Sequence, residues 1–162
     1  MIGHSNNRIE AAVANGTAYI KIFGRGTFQT VADFRDFVKK SLDDGLAVFI
    51  DLSNCETLDS TFIGTLVALC MKSKKDGECM LKLFNVSDHV KNIFNTLGLQ
   101  TILDIRDAVP GDGGEYSPIE STAHDKVEIT DLMLDAHLTL SKINERNAVE
   151  FKDVVEFLKQ QR

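Results

Sequence analysis

The chain has 162 residues, a formal net charge of −6 and 43% hydrophobic residues, which is enough for one packed domain with some chain left over and too much for a disordered protein. The acidic balance, with a pI near 5.2, argues against nucleic acid as a partner, because phosphates call for a basic face, and weakly against an anionic membrane surface. No apolar run is long enough to span a bilayer, and the polar start from Met1 to Arg8 lacks the apolar segment of a secretory signal. The expectation is a cytoplasmic protein without membrane insertion, its three cysteines Cys55, Cys70 and Cys79 reduced.

In chain order, residues 18–23 predict a strand with Ala18, Ile20 and Ile22 on one face, broken by Gly24-Arg25-Gly26. Thr30 is a plausible N-cap for a helix carrying Val31, Phe34, Phe37, Val38 and Leu42 at helical spacing, with Asp33 in its first turn and Gly45 after its end. Residues 47–52 show little polar alternation and predict a central strand covered on both faces. After a turn at residues 53–56, a second helix starts near Ser60, buries Ile63, Leu66, Val67 and Cys70, carries Lys72, Lys74 and Lys75 in its last turns and stops at Gly77. A strand from Cys79 to Val86 follows. Ser87 then caps a helix with Val90, Ile93, Phe94 and Leu97 inside and Gly98 at its end, and residues 99–105 suggest a last short strand.

Alternating strands and helices imply an α/β fold with a mostly parallel sheet. Residues 1–108 are expected to form this domain and 109–120, with Pro110-Gly111-Asp112-Gly113-Gly114, a linker; residues 121–162 are expected to form a C-terminal helical tail. Residues 126–160 lack glycine and proline and carry an apolar stripe through Ile129, Leu132, Met133, Ala136, Leu140 and Ile143, then Phe151, Val154, Val155 and Leu158. Asn147 with Glu150 looks like a capping-box variant, so the tail is either one helix of roughly 50 Å by the standard rise or two shorter ones.

The sharpest local feature is Asp59-Ser60-Thr61, a carboxylate and two hydroxyls at a helix start just beyond a buried strand. Asp59 suits an N-cap. A phosphate on Ser60 would add nearly two negative charges, which the helix N-terminus tolerates and an acidic or tightly packed partner surface does not. Capping alone also accounts for these residue types.

The segment from Val48 to Leu66, with Asp51-Leu52-Ser53 followed by Asp59-Ser60-Thr61, resembles the core of a STAS domain, and bacterial anti-sigma factor antagonists in particular. The likeness extends over about residues 8–108 and includes Leu83-Phe84-Asn85-Val86 and Thr96-Leu97-Gly98-Leu99. It implies a small sheet with helices mainly on one side. It also implies a non-enzymatic regulator without cofactors that switches partners by phosphorylation at the serine after the aspartate, here Ser60, with Thr61 as the lesser alternative. The partners implied are a serine kinase/anti-sigma factor of the histidine-kinase-like ATPase type and a phosphatase of the PP2C type. Asp59, Ser60, Thr61 and Phe62 are then the expected partner interface.

Phe62 stands where the family usually has glycine; its ring is expected either to project into the interface or to fill a gap under the helix. The tail lies outside the common single-domain antagonist and is expected to cover the sheet, pair two copies of the chain or dock a partner. STAS domains also serve as assembly subunits of lipid or anion transport systems and signalling complexes, which would make the tail decisive and Ser60 a mere cap. A nucleotide-binding STAS protein is a third reading, and no phosphate cradle supports it: Gly24-Arg25-Gly26 fits better as a turn beside the Ser60 helix. His4, His89, His124 and His137 lack metal-binding spacing and are expected at the surface, and Cys55 is expected to be structural or incidental.

Overall fold

The computed structural model describes residues 6–162; His4 lies outside them. The described residues open with a hairpin, β1 (Arg8–Ala14) and β2 (Thr17–Gly26). Its turn is Asn15-Gly16, both at positive φ (52° and 76°), as the tight primed turns that match strand twist require. Helix α1 (Val31–Asp43) follows, then β3 (Ala47–Asp51), β4 (Cys55–Leu58) and α2 (Ser60–Lys72). A small hairpin, β5 (Lys74–Lys75) and β6 (Glu78–Cys79), turns at Asp76-Gly77, and β7 (Leu81–Phe84), α3 (Asp88–Thr96) and β8 (Ile105–Arg106) complete the α/β unit.

The main sheet is mixed, in the order β8-β7-β3-β2-β1 and then β9 (Ser117–Pro118), with β4 beside the far end of β2. The pairs β2–β3, β3–β7, β7–β8 and β2–β4 are parallel, whereas β1 runs antiparallel to β2 and to β9. Ala18, Ile20, Ile22, Val48, Ile50, Leu81 and Leu83 point from one sheet face into a core with Val31, Phe34 and Val38 of α1, Phe62, Ile63 and Leu66 of α2 and Phe94 of α3. The other face carries the edge-to-face aromatic ladder Tyr19–Phe49–Phe84.

Several expectations are corrected here. The strand β3 alternates, with only Val48 and Ile50 fully buried, because helices cover one sheet face and loops the other. The expected linker is packed chain: Gly111 and Gly113 lie against Tyr19, Lys21 Nζ stands 4.2 Å from the centre of the Tyr116 ring, and β9 extends the sheet. The second helix stops at Lys72, which leaves Lys74 and Lys75 in a hairpin. Residues 99–104 form turns that bury Leu99 and Leu103, and only Ile105–Arg106 joins the sheet. Residues 24–26 do not end β2 but bend it, with a register shift at Gly24/Arg25. Thr30 occupies the cap position of α1 without a side-chain capping bond.

The tail is three helices: α4 (Lys126–Ser141), α5 (Glu145–Glu150) and α6 (Lys152–Gln160). The cap at the break is Asn144, whose side chain accepts from the Asn147 amide at 2.8 Å. Asn147 itself is 1% exposed and donates its side-chain amide to the Leu97 carbonyl at 2.9 Å, closing the end of α3. The tail lies on the helix layer and not on the sheet: Leu132 and Leu140 of α4 belong to the main core, whereas Leu134 packs against Val155 and Leu158 of α6. At the tail's start, Thr122 and His124 bond Asp33 of α1. The hydrogen bonds that the Asp33 and Glu128 carboxylates accept from the His124 ring hold its pKa above the ordinary histidine value, against the opposing effect of burial.

Candidate functional site at the start of the second helix

The site begins where β3 ends. Asp51 accepts from the Ser53 amide at 2.9 Å and from the Asn85 side chain at 3.0 Å, and the chain turns into β4. Burial raises the Asp51 carboxyl, but these donors outweigh it and hold its pKa below the usual carboxylate value. The chain then reaches Asp59, which is the cap the sequence predicts and also a cross-link. Its Oδ1 accepts from the Phe62 amide at 2.8 Å and its Oδ2 from the Phe28 amide at 2.9 Å, so one carboxylate ties α2 to the loop between β2 and α1. The Asp59 amide donates to the Gly26 carbonyl at 2.9 Å. Gly26 has room for no side chain, since a Cβ there would stand 3.2 Å from the Phe62 ring and 2.5 Å from Leu58. The loop beside the Ser60 helix therefore follows Gly26, and residues 24–26 reach it as the bent end of β2 and not as a turn.

Ser60 follows in the first turn of α2, half-buried at the rim of an open groove of about 400 Å3 lined by Leu58, Ile63, Ile93, Leu97 and Phe151. Its Oγ lies 2.8 Å from Nε2 of His137, which α4 delivers from the tail. The other ring nitrogen, Nδ1, lies 2.7 Å from the Met133 carbonyl. A carbonyl only accepts, so Nδ1 carries the proton; in the neutral ring Nε2 is then a lone pair, and the Ser60 hydroxyl donates to it. The Phe151 ring meets the imidazole edge-to-face at 5.4 Å between centroids.

The contact depends on how closely α4 approaches α2. Gly64 faces the backbone of Ala136, and a Cβ on Gly64 would overlap the Ala136 carbonyl oxygen and stand 2.7 Å from its carbon. Only glycine at that position lets the helices approach closely enough for His137, one residue along, to reach Ser60.

The four expected interface residues divide. Asp59 and Ser60 are half-buried, whereas Thr61 is 4% and Phe62 0% exposed. The Phe62 ring fills the gap under the helix against Phe34, at 4.7 Å between centroids, so it does not project. Burial likewise hides the Thr61 side chain and leaves Ser60 as the accessible hydroxyl. The expectation of four surface histidines fails at His137, which is 4% exposed. A signal existed in its place on the apolar stripe, four residues after Met133 and next to Ala136, but its partner lies 77 residues away in sequence. Cys55 is buried, and desolvation pushes its thiol up to about 11, which leaves it protonated and unreactive at neutral pH.

A family model described as "Mlab, STAS domain" matches residues 10–105. The chain belongs to the STAS domain family. Among solved structures, this STAS protein is similar to the anti-sigma factor antagonist SpoIIAA in its unphosphorylated form, at TM-score 0.54 and 18% identity, with 63% of this chain and 89% of that one covered. It is also similar to an anti-sigma factor antagonist from Mycobacterium paratuberculosis, at TM-score 0.54, 16% identity and coverage of 65% and 89%. A third likeness is to a putative antagonist from Thermotoga maritima, at TM-score 0.51, 16% identity and coverage of 62% and 86%. At these identities the likenesses establish the fold. No curated protein sequence matches the chain. Among the described residues no helix is long and apolar enough to cross a membrane.

Proposed function

We propose that this STAS protein is a non-enzymatic regulator that exchanges protein partners according to the phosphorylation state of Ser60. The observation that carries the reading is the placement of Ser60: of the hydroxyls in Asp59-Ser60-Thr61 it alone is accessible, at a helix N-terminus and on the rim of an open apolar groove. A phosphate there is tolerated by the first-turn amides and changes the charge of the rim without touching the core. The partner is a serine kinase/anti-sigma factor of the histidine-kinase-like ATPase type, with a PP2C-type phosphatase to reset the switch. Asp59 and Ser60 contribute to the docking rim, while Thr61 and Phe62 support it from below. The cellular location proposed is the cytoplasm.

The test is a paired capture from host lysate with wild type and Ser60→Asp as baits, read by mass spectrometry, with phosphopeptide mapping of the purified chain. A kinase-like ATPase held by wild type and lost by the variant supports the switch. Unchanged affinity for the captured partner refutes it.

A second reading is favoured by one observation: α4 closes the outer face of α2 with Leu132 and Leu140 in the main core. In that reading the protein is an assembly subunit whose tail helices dock the complex or pair two copies. Deletion of residues 121–162 would then abolish assembly, while Ser60→Ala would leave it intact.

A further inference from the structure

His137 is brought against the serine oxygen by an element outside the matched family region, in a tautomer fixed from behind by the Met133 carbonyl. A cap or a packing contact needs no such arrangement. An imidazole with its lone pair on a hydroxyl proton is a general base held in place. We propose that His137 accepts the Ser60 hydroxyl proton during phosphoryl transfer to Ser60, and then holds the phosphoserine through its protonated ring. The proposal rests on the phosphorylation of Ser60 proposed above and adds a residue that acts within this chain.

The step balances as follows. A nucleoside triphosphate on the kinase presents its terminal phosphorus to Ser60 Oγ. The Oγ–P bond forms, and the bond from that phosphorus to the bridging oxygen breaks. Nucleoside diphosphate leaves with the electron pair. The hydroxyl proton passes to His137 Nε2 along the existing 2.8 Å hydrogen bond. The product is an imidazolium beside a phosphate dianion, a charge-assisted pair. Asp59 does not compete for the ring, because both its oxygens are engaged by the Phe28 and Phe62 amides. The approach of the electrophile is left open on the groove side, where Leu58, Ile93, Leu97 and Phe151 present apolar surface.

The arrangement also determines how the tail responds. The α4 helix is anchored by Leu132 and Leu140, 2% and 0% exposed, and by the glycine contact at Gly64. Both leucines belong to the main core, so modification of Ser60 at the rim does not expel the helix. The imidazolium formed at its side strengthens the tail's hold on the phosphorylated site.

The test does not need the kinase. A fluorophosphonate with a short alkyl chain reports the same chemistry: Oγ–P forms, P–F breaks, fluoride leaves and the proton goes to His137. The expected result is labelling at Ser60 in the full-length protein, none in Ser60→Ala, and a rate about a hundredfold lower in His137→Gln, the scale of a positioned general base. Glutamine retains hydrogen-bonding capacity without basicity, so a merely structural contact would leave the rate unchanged; circular dichroism confirms the fold of the variant. Equal labelling of wild type and His137→Gln overturns the proposal, as does no labelling of wild type.

Nitrogen NMR supplies a second readout. His137 should carry its proton on Nδ1 in the unmodified chain and on both nitrogens at pH 7 once phosphoserine is installed at position 60 by codon suppression. A ring unchanged by phosphoserine overturns the ion pair. Partner release by phosphoserine with an unchanged ring would leave the switch standing and the role of His137 refuted; a changed ring with no partner release would do the reverse.

Discussion

Replacing Gly64 with alanine opposes two effects of known sign. In an exposed helix interior the change stabilises by about 1 kcal/mol, because glycine carries the larger backbone entropy cost. Here the added methyl group would overlap the Ala136 carbonyl oxygen and lie 2.7 Å and 2.8 Å from the carbonyl carbon and Cα of Ala136. These are backbone atoms in the middle of α4, so the overlap is relieved only by moving the helix. Overpacking of this kind costs roughly 1–3 kcal/mol, and the displacement also disturbs Leu132 and Leu140. The packing term outweighs the propensity term over most of that range, and we expect a net loss of up to about 2 kcal/mol, or a few degrees in Tm for a chain of this size. Urea unfolding followed by circular dichroism measures it, with an unchanged m-value confirming that stability alone has moved. Because the clash is with backbone, Ala136→Gly should not rescue the variant. A stabilised Gly64→Ala protein would refute the close approach of α2 and α4, and with it the geometry that brings His137 to Ser60.

Phe62→Ala should cost about 3–5 kcal/mol, since the ring is fully buried against Phe34; a loss under 1 kcal/mol in the same urea assay would show the ring to be displayed after all. Acid stability should depend on Asp104. Burial raises its carboxyl, but Arg106 and Lys82 outweigh this and lower the folded-state pKa below 3.8. Wild type should therefore be more stable than Asp104→Asn at neutral pH, and the advantage should disappear as the pH falls through the lowered folded-state value. Thermal melts from pH 7 to pH 2 test the sign, and an advantage that grows on acidification would contradict it.

The helices of the α/β unit were legible because each carries two independent marks. Ser87 caps α3 in the sequence and in the structure, where its Oγ accepts from Val90 at 3.2 Å, and Val90 and Phe94 fill the predicted face. The first strand is hard to read in the sequence because Ile9, Ala11 and Ala12 make a faint alternation, although Asn15-Gly16 is a hairpin signal. Residues 99–105 read as a strand from composition alone, but Leu99 and Leu103 serve turns that seal the end of α3, and only Ile105 reaches the sheet. The sequence leaves a break in the tail as one of two alternatives and puts its cap one turn late: Asn147 has a cap's chemistry but is needed at the Leu97 carbonyl, so Asn144 caps instead. Asp59 and Ser60 were legible as a site because a capping motif is local. His137 was not, because its role exists only where α4 crosses α2, and no local pattern encodes that crossing.

The path of the chain after residue 106 gives the tail an unusual standing. The segment passes beneath the aromatic face of the sheet, adds β9 to the far edge beside β1, and only then returns over the helix layer as α4. The tail is thus clamped at both ends, by a strand at its root and by Asn147 on Leu97 near its tip. A single cut in the exposed stretch at residues 120–123 would sever the covalent link and leave β9 with the first piece, but the second would keep Asn147 on Leu97 and the buried Leu132 and Leu140 of α4. The two pieces would remain one particle, and a chain made as separate halves, 1–120 and 121–162, should reassemble with its serine and histidine back in contact.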